Sequence, residues 1–494
     1  MPAPTPSPHE GEQSFGPREQ LAIWLLLGSS FVVILNETVM GVALPRLMDD
    51  LHITAAAGQW LTTAFLLTMS VVIPITGMLI QRVRTRPLFL IAMSLFSLGT
   101  LISAIAPGFG LLLVGRVVQA GGTAIMMPLL MTTVITLVPP HQRGRLMGRI
   151  SIVISVAPAL GPTVSGLVLE HLSWRALFLF VLPIAVVALI IGALRLPNVG
   201  EQSHARVDLF SVLLTVFAFG GIVYGLSAFG EQANGGATAP PWIPLGIGVI
   251  GLGVFIWRQL VLQREDRALL DLRTFQVPAF RLSTVLFVFS SMALFGSLIL
   301  LPIYVQNVLG LTTLQAGLSL LPGGLLMGLL GPVVGRRIDR YGTRSTLLPG
   351  VIITALSLWA MGLFTDTTSL WQVIATHVVL SLGLACTFTP LFTVSLGSLP
   401  TRLASHGSAT ISTAQQVAGA AGTALFVTVM TLVSVQAAGS PTEIDPHALA
   451  TGTRAAFLMG GAIATLSIPV AWFIRDGAPE AETAIAEAEP APAE

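Results

Sequence analysis

Lysine is absent from the chain, so all 24 basic residues are arginine. A phosphate-cradling Gly-x-x-x-x-Gly-Lys-[Ser/Thr] loop is therefore impossible, which excludes ATP-driven work by this chain alone. Cysteine occurs once, at Cys386, so neither a disulfide framework nor a thiolate metal site can form. The eight histidines are scattered, without a His-Glu-x-x-His spacing, and no Ser/His arrangement suggests a hydrolase. Nothing implies a metal, and a membrane-embedded enzyme is the weakest of the readings. Charge is scarce as well, at 10% of 494 residues against about 25% in an ordinary soluble domain. That is too little to cover a water-facing surface, which sets aside a soluble enzyme or a nucleic-acid binder. A net charge of +1 implies no electrostatic partner.

What the chain does have is apolar length. Hydrophobic residues make up 53% of it, and its mean hydropathy is +0.84. Apolar runs long enough to cross a hydrocarbon core of roughly 30 Å recur throughout. Bounded by charge or Gly/Pro clusters, they predict fourteen helices. Eight lie near 20–45, 58–80, 88–106, 110–138, 150–170, 176–196, 209–229 and 242–262, and six near 281–308, 313–335, 345–365, 370–396, 408–434 and 454–475. Arginine placement tests the count. With a cytoplasmic N-terminus, 20 arginines fall in the tails and in the connections on that side. Three (Arg46, Arg175 and Arg454) fall opposite, and Arg116 lies inside a span. That asymmetry fits an even number of spans with both termini cytoplasmic.

An internal repeat divides the chain. Gly77-Met-Leu-Ile-Gln81-Arg82 and Gly335-Arg-Arg-Ile-Asp339-Arg340 lie 258 residues apart, each at the end of a Gly/Pro-punctuated helix. The expected organisation is a disordered tail over 1–19, a six-helix bundle over 20–196, and a linker with two extra helices over 197–280. A second six-helix bundle over 281–475 and an acidic disordered tail over 476–494 complete it. Duplicated bundles around a midplane cavity are the usual architecture of a secondary transporter.

Several motifs then resemble, in order from about residue 20 to 475, those of the major facilitator superfamily, specifically its 14-helix drug:proton antiporters of the quaternary-ammonium and lincomycin efflux type. Helix 1 ends in Leu35-Asn36-Glu37-Thr38-Val39-Met40-Gly41-Val42-Ala43-Leu44-Pro45, similar to the family's Leu-Asp-x-Thr-Ile-Val-Asn-Val-Ala-Leu-Pro. Asn36 stands where the Asp usually is, and the carboxylate is one place on, at Glu37. A one-residue step turns about 100° on a helix. The 2–3 loop resembles the gating element Gly-x-x-x-Asp-Arg-x-Gly-Arg through Gly77, Arg82 and Arg86, with Gln81 replacing the Asp. The second copy keeps Gly335, Asp339, Arg340, Gly342 and Arg344. Such an Asp can cap or pair across the bundle interface and latch one state, although anchoring by the positive-inside rule explains most of these arginines.

Helix 4 carries Arg116-Val-Val-Gln119-Ala-Gly121, which resembles the family's Arg-x-x-Gln-Gly element. A guanidinium at membrane depth costs several kcal/mol unless it finds a partner or water. Glu37 is the one clear acid within a predicted span, so proton coupling falls to Glu37 with Arg116 beside it. Helix 5 carries Gly161-Pro162-Thr-Val-Ser165-Gly166, similar to the antiporter element Gly-x-x-x-Gly-Pro-x-x-Gly-Gly. Its small residues permit close helix contact and its proline kinks the helix.

Asn36, Gln119, Gln306, Asn307 and Gln415 are the polar candidates for a substrate cavity. Gln416 joins them, and interhelical bonding is an equal alternative for Gln306, Asn307, Gln415 and Gln416. Phe65, Met69 and Phe295 are candidates for a plastic apolar lining. His377, near one end of helix 12, reads as a packed or interfacial histidine. The implied fold is an all-α polytopic membrane protein of the major facilitator type, with 14 spans. The implied function is proton-coupled efflux of lipophilic or cationic small molecules by a monomer in the bacterial inner membrane. The proton gradient, and no cofactor, is its energy source. A dedicated exporter of one metabolite, such as an antibiotic or siderophore, shares that architecture. A non-transporting membrane sensor or scaffold is the rival from another class.

Overall fold

The structure is a computed structural model that describes residues 16–53, 55–138, 140–198, 208–233, 240–265, 267–439 and 445–474. The tails expected over 1–19 and 476–494 lie largely or wholly outside the described residues. Among those residues there is no strand. The helices are α1 (Pro17–Leu51), α2 (Ala55–Arg82), α3 (Thr85–Ile105), α4 (Phe109–Leu137), α5 (Pro140–His171) and α6 (Arg175–Arg195). Next comes α7 over 209–233, built from Leu209–Thr215, a π turn at Val216–Gly220 and Gly221–Ala233, and then α8 (Trp242–Leu262). The rest are α9 (Pro278–Ile303, continued by a π turn at Tyr304–Val308), α10 (Thr313–Tyr341), α11 (Arg344–Met361), α12 (Leu370–Gly397), α13 (Ala404–Ala438) and α14 (Pro446–Phe473).

Each predicted helix is present, and twelve are long and apolar enough to cross a membrane. The other two are α5 and α7, the latter with a shorter apolar stretch over Phe210–Leu226. Boundaries shift most where arginines follow an apolar run. Helix α5 starts ten residues before the expected 150, and α10 continues through Arg336, Arg337 and Arg340 to Tyr341. Hydropathy marks only the part of a helix that suits hydrocarbon, whereas the backbone ladder continues into the polar interface. Internal prolines such as Pro74, Pro128, Pro162 and Pro332 do not end their helices. Unwinding in hydrocarbon would orphan still more backbone groups, at several kcal/mol each. Capping boxes at Thr312/Gln315 and Ser369/Gln372 start α10 and α12.

The packing repeats. Helix α1 lies on α5, α2 on α4, α3 on α4 and α3 on α6; likewise α9 lies on α13, α10 on α12, α11 on α12 and α11 on α14. Across these two sets α5 packs extensively on α10, and the equivalent pair α13 and α2 also meets.

Contacts between connections respect the ends of the bundle. At one end Arg86 Nη2 donates to the Ala193 carbonyl, and Gln81 Nε2 donates to Ser405 Oγ at 2.8 Å and to the Arg402 carbonyl at 3.3 Å. At the other end Arg175 Nη2 donates to the Ala106 carbonyl at 2.9 Å. There too Asp366 pairs with His447 at 3.1 Å, and Tyr304 Oη donates to the Thr365 carbonyl.

The inserted helices are bonded into this frame. Asp208 caps α7 and takes a bidentate bond from Arg258 of α8 at 2.6 and 2.7 Å. Gln259 Nε2 donates to Ser211 Oγ at 3.0 Å, and its Oε1 accepts from the Leu269 amide at 2.7 Å. The Leu269 carbonyl in turn meets His406 Nδ1 at 3.0 Å, in the first turn of α13. Helix α7 also packs on α2 and α13. The connection after α8 is thereby tied to the end of the bundle where Gln81 sits.

Candidate transport site

Close helix contact builds the polar centre. A Cβ at Gly99 of α3 would fall 2.4 Å from the Gln119 amide nitrogen of α4, and one at Gly115 would fall 2.4 Å from Ser103 Oγ. Small residues let α3 and α4 approach that far, which brings Thr100 to Gln119. Gln119 Nε2 donates to Thr100 Oγ1 at 2.7 Å, while Gln119 Oε1 accepts from Arg116 Nη1 at 2.6 Å. Arg116 is fully buried. Its Nε donates weakly to the Leu61 carbonyl at 3.5 Å, and its guanidinium carbon lies 4.0 Å from the Phe65 ring centroid. The face of an aromatic ring attracts such a cation.

Glu37 faces this centre from α1. It attracts Arg116 through space, and the Gln416 side chain of α13 hydrogen-bonds its carboxyl. Among the ion pairs of the described residues Glu37 does not figure, so its coupling to Arg116 is not a direct salt bridge. Asn36 is 2% exposed, and its Nδ2 finds no partner among the described residues. Two residues on, Thr38 Oγ1 donates to the Leu35 carbonyl at 3.1 Å. Gly161 of α5 sits directly against that threonine: a Cβ there would fall 2.0 Å from Thr38 Oγ1. On its other side α5 meets α10. A Cβ on Gly317 would come 3.1 Å from the Pro162 backbone, one on Gly166 would lie 3.4 Å from Leu314 Cα, and Thr163 Oγ1 donates to the Gly317 carbonyl at 3.2 Å. Gly161, Pro162 and Gly166, all buried, thus form a thin wedge between α1 and α10.

Beside the wedge is a partly open cavity of about 30 Å³ between α5, α9, α10, α12 and α13. Its polar lining is His377, Ser381 and Gln415; Pro158, Leu294, Met327 and Phe388 supply apolar wall. That volume suits one or two waters or a single polar group, so a whole drug-sized molecule needs the bundle to open.

Comparison with known proteins decides what frame this is. The pattern of the Major Facilitator Superfamily matches residues 26–423. The chain belongs to that superfamily. It is 40% identical over 453 residues to the MFS-type transporter YcnB of Bacillus subtilis, covering 92% of this chain and 94% of that one. It is 39% identical over 456 residues to the lincomycin resistance protein LmrB of the same organism, covering 91% and 94%. The multidrug resistance protein B homolog of Mycobacterium tuberculosis is 29% identical over 435 residues, covering 87% and 80%. Among solved structures, the human organic anion transporter MFSD10 (TETRAN) superposes with a TM-score of 0.65 at 15% identity, covering 92% of this chain and all of that one. That likeness concerns the fold alone. A multi-pass membrane transporter with drug-resistance homologues follows from these matches and from the twelve candidate spans.

Within this superfamily frame the two gating elements differ. Gly77 is pressed against α13, where a Cβ would lie 3.2 Å from Ala409 Cβ, and Gln81 makes the bonds to Arg402 and Ser405 given above. Arg82 is exposed. In the second copy Gly335 is buried and Arg340 is exposed over the Tyr341 ring, while the Asp339 side chain lies outside the described ones. Gly342 ends α10 with φ 77°, a left-handed conformation that favours glycine. At the matching position in the first copy Arg84 has φ −56°, so that turn has no need of one. Arg86 and Arg344 play equivalent parts: Arg86 reaches the α6 end, and Arg344 lies 4.0 Å over the Trp472 ring at the α14 end.

The remaining polar candidates are placed less centrally. Gln306 Nε2 donates to the Pro302 carbonyl one turn back at the end of α9, and Asn307 is exposed. Gln415 lines the cavity. Phe65 packs on Arg116, and Phe295 packs on Gly419. Thr100, Ser381 and Thr163 were not foreseen as site residues. A lone Thr in an apolar run carries no distinguishing signal. His377 with Ser381 did carry one, since a polar pair four residues apart marks one helix face; that histidine is 5% exposed, two turns inside α12.

Proposed function

We propose that the chain is a proton-coupled exporter of lipophilic or cationic small molecules in the bacterial plasma membrane. It has fourteen spans, both termini cytoplasmic, and two six-helix bundles joined by the α7–α8 linker. The observation that carries this reading is a carboxylate, Glu37, beside a fully buried arginine, Arg116, and hydrogen-bonded by Gln416 from the opposite bundle. Burying such a pair for stability alone gains little, because desolvation offsets the attraction. A group that takes up and releases a proton as its surroundings change has reason to be there. Among the described residues, the connections that touch one another follow helices of the same parity, which supports an even number of crossings. The names of LmrB and of the multidrug resistance protein B homolog support export of antibiotics and related compounds.

Alternating access follows from the packing. The α5–α10 and α2–α13 interfaces are equivalent under the repeat and flank the centre, so the two bundles rock against each other along these seams, opening the centre to one side as it closes on the other. A proton entering from outside neutralises Glu37, weakens its hold on Arg116 and Gln416, and accompanies the return of the empty carrier. One proton crossing 100 mV supplies about 2.3 kcal/mol, enough for roughly a 50-fold gradient of a neutral substrate. The test is a panel of dyes and antibiotics in everted vesicles. Accumulation that collapses when a protonophore is added supports the proposal, and accumulation indifferent to the proton gradient contradicts it.

A further inference from the structure

The cavity beside the antiporter wedge has a built polar corner that proton coupling does not use. His377 is 5% exposed, and its ring hydrogen-bonds the Leu320 carbonyl. Its Nδ1 has no hydrogen-bond partner among the described residues. In the tautomer that carries the proton on the other nitrogen, Nδ1 is an acceptor. Gly323 holds this arrangement closed. A Cβ there would fall 2.5 Å from Ser381 Oγ and 2.6 Å from the His377 ring, so only a bare glycine lets α10 cover the pair. Gln415 adds an amide from α13. The rest of the wall is mainly apolar, and about 30 Å³ accommodates one hydroxyl or amine rather than a ring system. An acceptor left unpaired in such surroundings is unfavourable, and a group that donates to it is favoured there. The next residue on α13, Gln416, bonds Glu37, so occupancy is felt one residue from the carboxylate.

We infer that this cavity seats the hydrogen-bond-donor group, a hydroxyl or a protonated amine, of an amphiphilic substrate, with His377 Nδ1 and the Gln415 amide oxygen as acceptors. The inference rests on the exporter reading and assigns that exporter its polar selectivity.

The test compares two probes bound to the purified full-length protein by equilibrium dialysis. Lincomycin carries several hydroxyls and an amine; tetraphenylphosphonium is a lipophilic cation without an N–H or O–H. His377→Leu is expected to weaken lincomycin binding about tenfold, at least five times more than it weakens tetraphenylphosphonium. His377→Asn, which keeps an acceptor near the Nδ1 position, is expected to recover most of that loss. Gln415→Leu should show the same split and serves if His377→Leu does not fold. Undiminished lincomycin binding in both leucine variants, or equal loss of the two probes, overturns the inference. So does wild-type protein that binds tetraphenylphosphonium but not lincomycin, and in those cases the exporter reading stands. Wild-type protein that binds neither probe and drives no proton-linked flux overturns both.

Discussion

The two halves share a packing plan but not a chemistry. Counting 258 residues on from Glu37, Arg116 and Gly161 leads to Phe295, Ile374 and Gly419. The glycine is kept, and in both halves it presses on the first helix of the set: Gly161 on Thr38, Gly419 on the Phe295 ring. The buried charge is not kept. Close packing is what both halves need to rock as bodies, so the repeat preserves it. A titratable centre is needed once, and a second buried pair would cost desolvation without adding a function. The N-terminal half is accordingly the proposed proton carrier, and the C-terminal half offers neutral polar groups.

The largest expected effect breaks that asymmetry. Arg116→Ala leaves Glu37 without the cation that attracts it across the centre and leaves the buried Gln119 Oε1 without its donor, and an unsatisfied buried acceptor alone costs about 1–3 kcal/mol. Uphill efflux in everted vesicles should fall at least 100-fold. Retained uphill efflux would show that the charge centre is structural only.

Next comes the shared glycine. Gly161→Ala places a Cβ 2.0 Å from a threonine oxygen on a helix that α5 must pass closely, whereas Gly419→Ala places one 3.0 Å from a movable ring. Overpacking of this kind costs about 1–3 kcal/mol, so Gly161→Ala should slow transport severely and Gly419→Ala mildly, with both proteins inserted. Equal effects would erase the distinction between the halves.

The gating elements should respond less. Gln81 bonds Ser405 and Arg402 through an amide, whereas Asp339 is proposed to latch through its charge, so Asp339→Gln copies the first half into the second and removes that charge. Turnover should drop several-fold with substrate affinity retained, as measured by flux and binding on the same preparation. Parallel loss of both would indicate misfolding instead of a latch.

The smallest effect concerns the inserted helices. Arg258, by its hydrogen bonds, holds the Asp208 carboxyl down to about 2, below an ordinary value of 3.8. A depressed carboxyl stabilises the fold above its unfolded value and loses that contribution as pH falls through the folded one. Asp208→Asn should therefore cost about 1 kcal/mol at neutral pH and flatten the fall in melting temperature between about pH 4 and pH 2. An unchanged acid limb would mean the pair does not hold α7 to α8.

Much of this was legible in sequence for identifiable reasons. Apolar length located each helix because hydrocarbon leaves the backbone no alternative, and the Gly77/Gly335 spacing announced the repeat. The Arg116–Gln119 pair was legible as a motif, and the structure adds the bond between them. Other features were not readable. The ends of α5 and α10 run through arginines that mark loops on a hydropathy scale. The π turns in α7 and after α9 have no local sequence signature. Contacts such as Gln119–Thr100 and Gln416–Glu37 depend on how helices distant in the chain rotate against one another, which periodicity in nearly uniform apolar segments leaves open.

The central claim, that Glu37 carries the proton, is tested most directly by Glu37→Gln in proteoliposomes with a pH-sensitive dye. Glutamine keeps the shape and a bond to Gln416 but cannot titrate. The account predicts downhill counterflow of substrate at a rate near wild type, no uphill accumulation, and no substrate-induced proton release. Uphill accumulation by Glu37→Gln, with proton release intact, would contradict it.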